Sequence, residues 1–162
     1  METMPKPNKR SLFSWCLYDW ANSAFTTVIV TFVFATYFAK SVAVDPVSGA
    51  AQWGFANSAS AVIIAILAPV LGSIADKGGR RKPWIFAFTA LSVVLTAGLW
   101  FVEPDQSFIL LALLLVVFAN VGFEMAIVFY NAMLPDIAAK PMIGRVSGWA
   151  WGLGYFGGLG CL

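Results

Sequence analysis

The chain contains no histidine, two cysteines, and only ten Lys and Arg against eight Asp and Glu in 162 residues. Without imidazole there is no His general base, no His-ligated zinc and no Ser-His or Cys-His pair, which leaves carboxylates as the groups able to titrate near neutral pH. At 11% charged residues the chain cannot cover a water-facing surface, since soluble domains carry about a quarter. Cys16 and Cys161 lie in apolar stretches without a CxxC spacing and are expected as free small hydrophobes, not as a disulfide or redox pair. The net charge of +2 is small and its basic residues fall in short clusters, so no nucleic-acid partner is expected. No catalytic residue, metal site or cofactor is expected either, and the chain is not read as an enzyme.

What the sequence does have is apolar bulk: 60% hydrophobic residues, seven Trp, 14 Phe and a mean hydropathy of +0.81. The charges bound long uncharged intervals, of 20 residues between Asp19 and Lys40, 30 between Asp45 and Asp76, 20 between Lys82 and Glu103 and 18 between Asp105 and Glu124. A helix needs about 20 apolar residues to cross a hydrocarbon core. Continuing the fourth interval through Glu124 to Pro135, helices are predicted near residues 13–38, 52–75, 83–102, 107–134 and 145–162. The expected fold is therefore an all-α, polytopic membrane protein with four complete transmembrane helices and a truncated fifth. Residues 1–11 read as a disordered N-terminal tail and 12–162 as one transmembrane bundle, with no soluble domain.

A cleavable signal peptide is the alternative for the first segment, because a basic cluster precedes it and Ser41-Val42-Ala43 has the form of a cleavage site. Its apolar run is nearly twice the roughly 7–15 residues of such a signal, so a retained helix is expected. Counting with the N-terminus inside, Lys6, Lys9, Arg10, Lys77, Arg80, Arg81, Lys82, Lys140 and Arg145 fall on the inner side and Lys40 alone on the outer. Cytoplasmic loops keep Lys and Arg, so the N-terminus is expected in the cytoplasm.

Polar groups inside spans are costly and mark candidate sites. At 100° per residue, Asp19, Asn22, Ser23 and Thr26 share one face of the first span, opposite a stripe including Val28, Phe32 and Phe38. Asp19 is read either as a pathway residue or as a helix cap at the cytoplasmic interface. Glu124 lies between Phe123 and Met125 deep in the fourth span, with Asn120 and Asn131 near the same line. It is expected to be a substrate- or proton-coupling carboxylate, the alternative being an interhelical hydrogen-bond ladder. Tyr18, Trp20 and Tyr130 offer cation–π surfaces beside these groups. Ala61, Ala65, Ala68, Gly72 and Ala75 form a small-residue stripe on the second span, interrupted by Pro69. Gly144, Gly148 and Gly152, then Gly154 and Gly158, mark the fifth segment as a helix that touches a partner or bends.

The loop after the second span, Gly72-Ser73-Ile74-Ala75-Asp76-Lys77-Gly78-Gly79-Arg80-Arg81, resembles the major facilitator signature G-x-x-x-D-[RK]-x-G-[RK]-[RK] at every specified position. The runs Tyr18-Asp19-Trp20-Ala21-Asn22-Ser23-Ala24-Phe25 and Phe129-Tyr130-Asn131-Ala132-Met133-Leu134-Pro135-Asp136 are similar to the vacuole-effluxer branch of that superfamily, the unknown major facilitator family of autophagy-related permeases. The resemblance covers the whole chain but less than half of a family member, so the chain is expected to be the N-terminal portion of a longer transporter, part of its first six-helix half.

That resemblance implies alternating-access secondary transport of a small, amino-acid-like solute in a bacterial plasma membrane, with lipid, the solute and the missing C-terminal half as partners. It places Tyr18, Asp19, Asn22, Asn120, Glu124, Tyr130 and Asn131 at or near the pathway. Gly72, Asp76, Lys77, Gly79, Arg80 and Arg81 become a cytoplasmic latch, in which Gly72 admits a helix of the other half, Asp76 meets that helix's N-terminus and Arg80, and Arg81 and Lys77 add ion pairs. The family's Arg on the fourth span and the Gly-Pro pair of its antiporters on the fifth are absent here. The competing class is a small membrane protein that oligomerises through its glycine and alanine stripes without transport of its own.

Overall fold

The computed structural model describes residues 9–162; most of the expected N-terminal tail lies outside the described residues, but Lys9, Arg10 and Ser11 are already helical. The first span starts as α1 (Lys9–Ala24), changes to π-helix over Phe25–Phe32, continues as α2 (Val33–Tyr37) and ends in a second π stretch, Phe38–Val42. Then come α3 (Pro46–Gly78), α4 (Arg81–Gly98), α5 (Ile109–Ala132), the short α6 (Leu134–Ile137) and α7 (Ile143–Leu159). Four stretches, Lys9–Val42, Pro46–Gly78, Arg81–Phe101 and Gln106–Ile137, are long and apolar enough to cross a membrane. At 33 residues α3 is about 50 Å long, so it projects beyond or tilts within a core of roughly 30 Å.

The helix ends follow local chemistry. Asp45 caps α3 by accepting from the Val47 and Ser48 amides at 2.9 and 3.0 Å, with Pro46 at the first helical position, where its missing N–H costs nothing. Ser48 Oγ also donates to Asp45 Oδ2 at 2.7 Å. These bonds, the Ser48 hydroxyl first, hold the Asp45 carboxyl below its usual range, and Ser107 does the same for Asp105 at the turn before α5. At the other end of α3, Gly79 adopts φ 61°, the left-handed cap that glycine accepts without strain. The expected seven-residue basic loop is thus reduced to Gly79 and Arg80 between two helices.

The π segment corrects one sequence expectation. Bonding from i to i+5 breaks the 100° repeat after Ala24, so Val28, Phe32 and Phe38 do not form one stripe: Phe32 is exposed and Phe38 fully buried. At the changeover, Thr26 Oγ1 and Thr27 Oγ1 both donate to the Ser23 carbonyl at 3.0 Å.

The described chain divides into two compact units: Ile29–Phe129, and the flanking segments through Val28 and over Tyr130–Leu162. In the first, Phe38, Val42, Leu99, Val102, Ala112 and Val116 make one core, braced by Trp53 Nε1 donating to the Val30 carbonyl at 3.1 Å and Tyr37 Oη to that of Val102 at 2.9 Å. Ala75, Val121, Met125 and Phe129 make another, with Trp84 and Phe88 stacked on Phe129 at ring separations of 5.7 and 5.9 Å. α5 meets α4 at Gly122, where an added Cβ would lie 2.9 Å from the Phe88 carbonyl oxygen and 3.0 Å from the Ser92 nitrogen.

In the second unit α1 and α7 run parallel along one seam. Val146, Ala150, Gly154, Gly157 and Gly158 are the buried residues of α7. On the outside of the seam an apolar groove of about 660 Å³ is lined by residues including Leu12, Cys16, Gly148, Gly152 and Phe156, with Lys9 its charged member. Cys16 is buried and Cys161 exposed, both as the free thiols expected.

Candidate functional site

Within Ile29–Phe129 the polar residues of α3 and α5 meet. Asn120 Nδ2 donates to Ser60 Oγ at 2.8 Å. Ser60 is wholly buried and passes its own proton back to the Asn57 carbonyl at 2.8 Å. Buried polar groups in lipid must find such partners, and this chain of donors fixes Asn120 toward α3. Glu124 follows one turn later on α5, half-buried. Among the described residues its carboxylate has no hydrogen-bond donor or ion-pair partner. Met125 and Ala126 beside it are buried, at 0% and 1% exposure, and Gly122 holds this turn against α4. The helix ends at Ala132, eight residues on. Asn131 lies in the last turn and is exposed. Of the three residues expected on one line, Asn120 and Glu124 share a half-buried environment and Asn131 does not, because the cover over this face of the helix stops before its last turn.

The other unit holds Tyr18, Asp19, Asn22 and Tyr130. Asp19 lies more than two turns inside α1, which rules out capping, a role of the first turn. It is half-buried, and an ideal Cβ on Gly154 of α7 would lie 2.8 Å from its Oδ2. Asn22, one turn further, is half-buried with its Nδ2 enclosed and unpartnered. Tyr130 is buried at 4% exposure and makes two reciprocal bonds with Trp15: Trp15 Nε1 donates to the Tyr130 carbonyl at 3.1 Å and Tyr130 Oη to the Trp15 carbonyl at 3.0 Å. Their rings stack at 4.2 Å and 5°, with Tyr18 tilted against Tyr130 at 5.0 Å. Tyr130 thus braces α1 against the end of α5, and its ring face is covered rather than open to a cation.

The basic turn after α3 also departs from expectation. Asp76 pairs with Arg81, whose Nη2 and Nε donate to Oδ1 at 2.7 and 3.2 Å, not with Arg80. The left-handed Gly79 turns the chain so that the first residue of α4 reaches back over the last turn of α3. Gly72 has nothing within 4 Å of an added Cβ, an open face on α3, and Lys77 and Arg80 are exposed. Sequence reasoning missed Ser60, Trp15 and Gly122. A lone serine or glycine in an apolar run carries no spacing signal, and Trp15 sits among other aromatics.

Several membrane-crossing helices, two half-buried carboxylates within them that are unpaired among the described residues, and a short basic turn between the second and third define a polytopic helical membrane protein with polar groups inside its crossing helices. Residues 45–162 match the vacuole effluxer Atg22-like family, and the chain belongs to that family. It is 41% identical over 147 residues to the uncharacterized MFS-type transporter YxiO of Bacillus subtilis (strain 168), an alignment covering 89% of this chain and 34% of that protein. The chain thus spans about a third of the length of the curated relative it matches. No solved structure matches it.

Proposed function

We propose that the chain is the N-terminal portion of a secondary transporter that moves a small solute, amino-acid-like by family, through alternating access across a bacterial plasma membrane with its N-terminus in the cytoplasm. One observation carries this reading: Glu124 sits in a membrane-crossing helix, half-buried, with no cationic or donor partner among the described residues. An ionised carboxylate at that depth costs about 2.5–3.5 kcal/mol, so it demands a compensating proton or a cationic solute group, and exchanging one for the other couples binding to transport. Asn120, held by Ser60, lies a turn away as a solute hydrogen-bonding group, and Asp19 and Asn22 offer the same pair of functions on α1. Tyr18 adjoins Asp19 on α1, Asn131 adds an exposed amide at the end of α5, and Tyr130 belongs to the scaffold that holds Trp15. Gly72, Asp76, Lys77, Gly79, Arg80 and Arg81 form the cytoplasmic latch, with Asp76 and Arg81 as its internal ion pair and Gly72 as the contact face for the C-terminal half.

Reconstituting the protein as its native source produces it, and following uptake of a uniformly ¹⁴C-labelled amino-acid mixture, tests the assignment. Wild type should give saturable uptake, and Glu124→Gln should lower the initial rate at least about tenfold with retained folding. Unchanged uptake in Glu124→Gln at every pH would remove Glu124 from the mechanism.

The open face of α7, where Gly144, Gly148 and Gly152 meet nothing within 4 Å, favours a second reading in which helix association, not transport, is the role. A defined small oligomer of the native-source protein together with no uptake would establish it.

A further inference from the structure

We propose that Gly154 is a positioning residue for the Asp19 carboxylate, its missing side chain providing the seat in which this carboxylate lies against α7; this rests on the reading of Asp19 as a solute-pathway residue. An ideal Cβ on Gly154 would lie 2.7 Å from Ser23 Oγ, 2.8 Å from Asp19 Oδ2 and 3.6 Å from Asp19 Cγ. Both oxygens therefore rest against the bare backbone of α7, at a spacing that excludes a methyl group. The two oxygens differ in freedom. Ser23 Oγ is tied by its bond to the Asp19 carbonyl at 2.8 Å, so a methyl group at position 154 would displace the carboxylate. Asn22 Nδ2, buried and unpartnered one turn along, lies on the same polar stretch of α1, so the direction of the Asp19 oxygens decides which polar atoms act together on a ligand.

α7 provides its own controls. Gly157 lies nearest the Trp20 carbonyl, and Gly158 nearest Thr27 Oγ1 and the Ser23 carbonyl oxygen, whereas Gly154 alone has the carboxylate among its nearest atoms. Gly152, two residues before Gly154, meets nothing within 4 Å. The seat is thus a property of one position rather than of a glycine-rich helix.

The test is carbodiimide labelling of the native-source protein in its membranes, with N,N′-dicyclohexylcarbodiimide adducts at Asp19 quantified by peptide mass spectrometry relative to those at Glu124. Gly154→Ala should raise the Asp19-to-Glu124 ratio at least about threefold by pushing the carboxylate off its seat, and Gly152→Ala should leave the ratio at the wild-type value. An unchanged ratio in Gly154→Ala overturns the proposal, as does an equal rise in Gly152→Ala. If Gly154→Ala does not fold, adding Asp19→Ala and Ser23→Ala, which clear both oxygens, must restore a monodisperse protein; continued misfolding also overturns it. A raised ratio combined with wild-type ¹⁴C uptake in Asp19→Asn would instead refute the pathway reading of Asp19 and leave the seat standing.

Discussion

On α7, Gly154, Gly157 and Gly158 lie against atoms of α1, whereas Gly144, Gly148 and Gly152, on an adjoining stretch of the same helix, meet nothing within 4 Å. Both sets look alike in sequence, and the four-residue spacing of the open set is the more regular. The difference teaches what a small residue does at membrane depth. Lipid tails are as apolar as leucine, so helices associate through close packing and hydrogen bonds. A glycine matters only where atoms of a neighbouring helix, backbone or side chain, lie against it. Inside Ile29–Phe129 the stripe on α3 divides in the same way, with Ala75 buried at 2% exposure and Ala61 and Ala65 exposed.

Substitutions can break this comparison or sharpen it. The largest effect is expected for Gly157→Ala, because the new methyl would fall on the Trp20 carbonyl. Overpacking against backbone costs about 1–3 kcal/mol, whereas Gly152→Ala should gain up to about 1 kcal/mol from helix propensity. Thermal unfolding midpoints in mild detergent should therefore move in opposite directions, and a shared direction would erase the distinction between the two sets.

A middle effect is expected for Tyr130→Phe, which keeps the stack on Trp15 but deletes the 3.0 Å bond to the Trp15 carbonyl. The loss should be about 1 kcal/mol, read from the same midpoint. No loss would mean that the ring stack and the remaining Trp15 Nε1 bond to the Tyr130 carbonyl hold α1 to the end of α5 without the hydroxyl.

The smallest effect is at the α3 cap. The Asp45 carboxyl is held below its usual range in the folded chain, so its stabilising contribution is complete above the unfolded value of about 3.9 and disappears as pH falls through the lower folded value. Asp45→Ala should therefore lower the unfolding midpoint at pH 6 and have no effect on it at strongly acid pH. An equal deficit at both pH values would show that the cap does not depend on ionisation.

The spans were legible because charge spacing measures bilayer thickness directly. Asp45 and Asp105 bounded the uncharged intervals in the sequence, and each is a helix cap in the fold. The left-handed conformation of Gly79, by contrast, was seen only in the fold, where it caps α3. Less legible was the first span, whose periodicity fails at Phe25 because the π segment changes the angle per residue, separating Phe32 from Phe38. Of the candidate site, Glu124 and Asn120 were found from their cost in lipid, while Ser60, the partner that orients Asn120, was not, since serine in an apolar run is cheap enough to occur without one.

The sequence alone determined an all-α membrane chain, its four crossing segments, its basic turn and the two carboxylates that need compensation, because all of these depend on transfer costs counted along one dimension. Only the tertiary structure decided that Asp76 pairs with Arg81, that Tyr130 braces Trp15 of α1, and that Gly154 rather than Gly152 receives α1. Those outcomes depend on which face of a helix a neighbour occupies, and that is set by packing distances of a few tenths of an ångström that no spacing of residue types encodes.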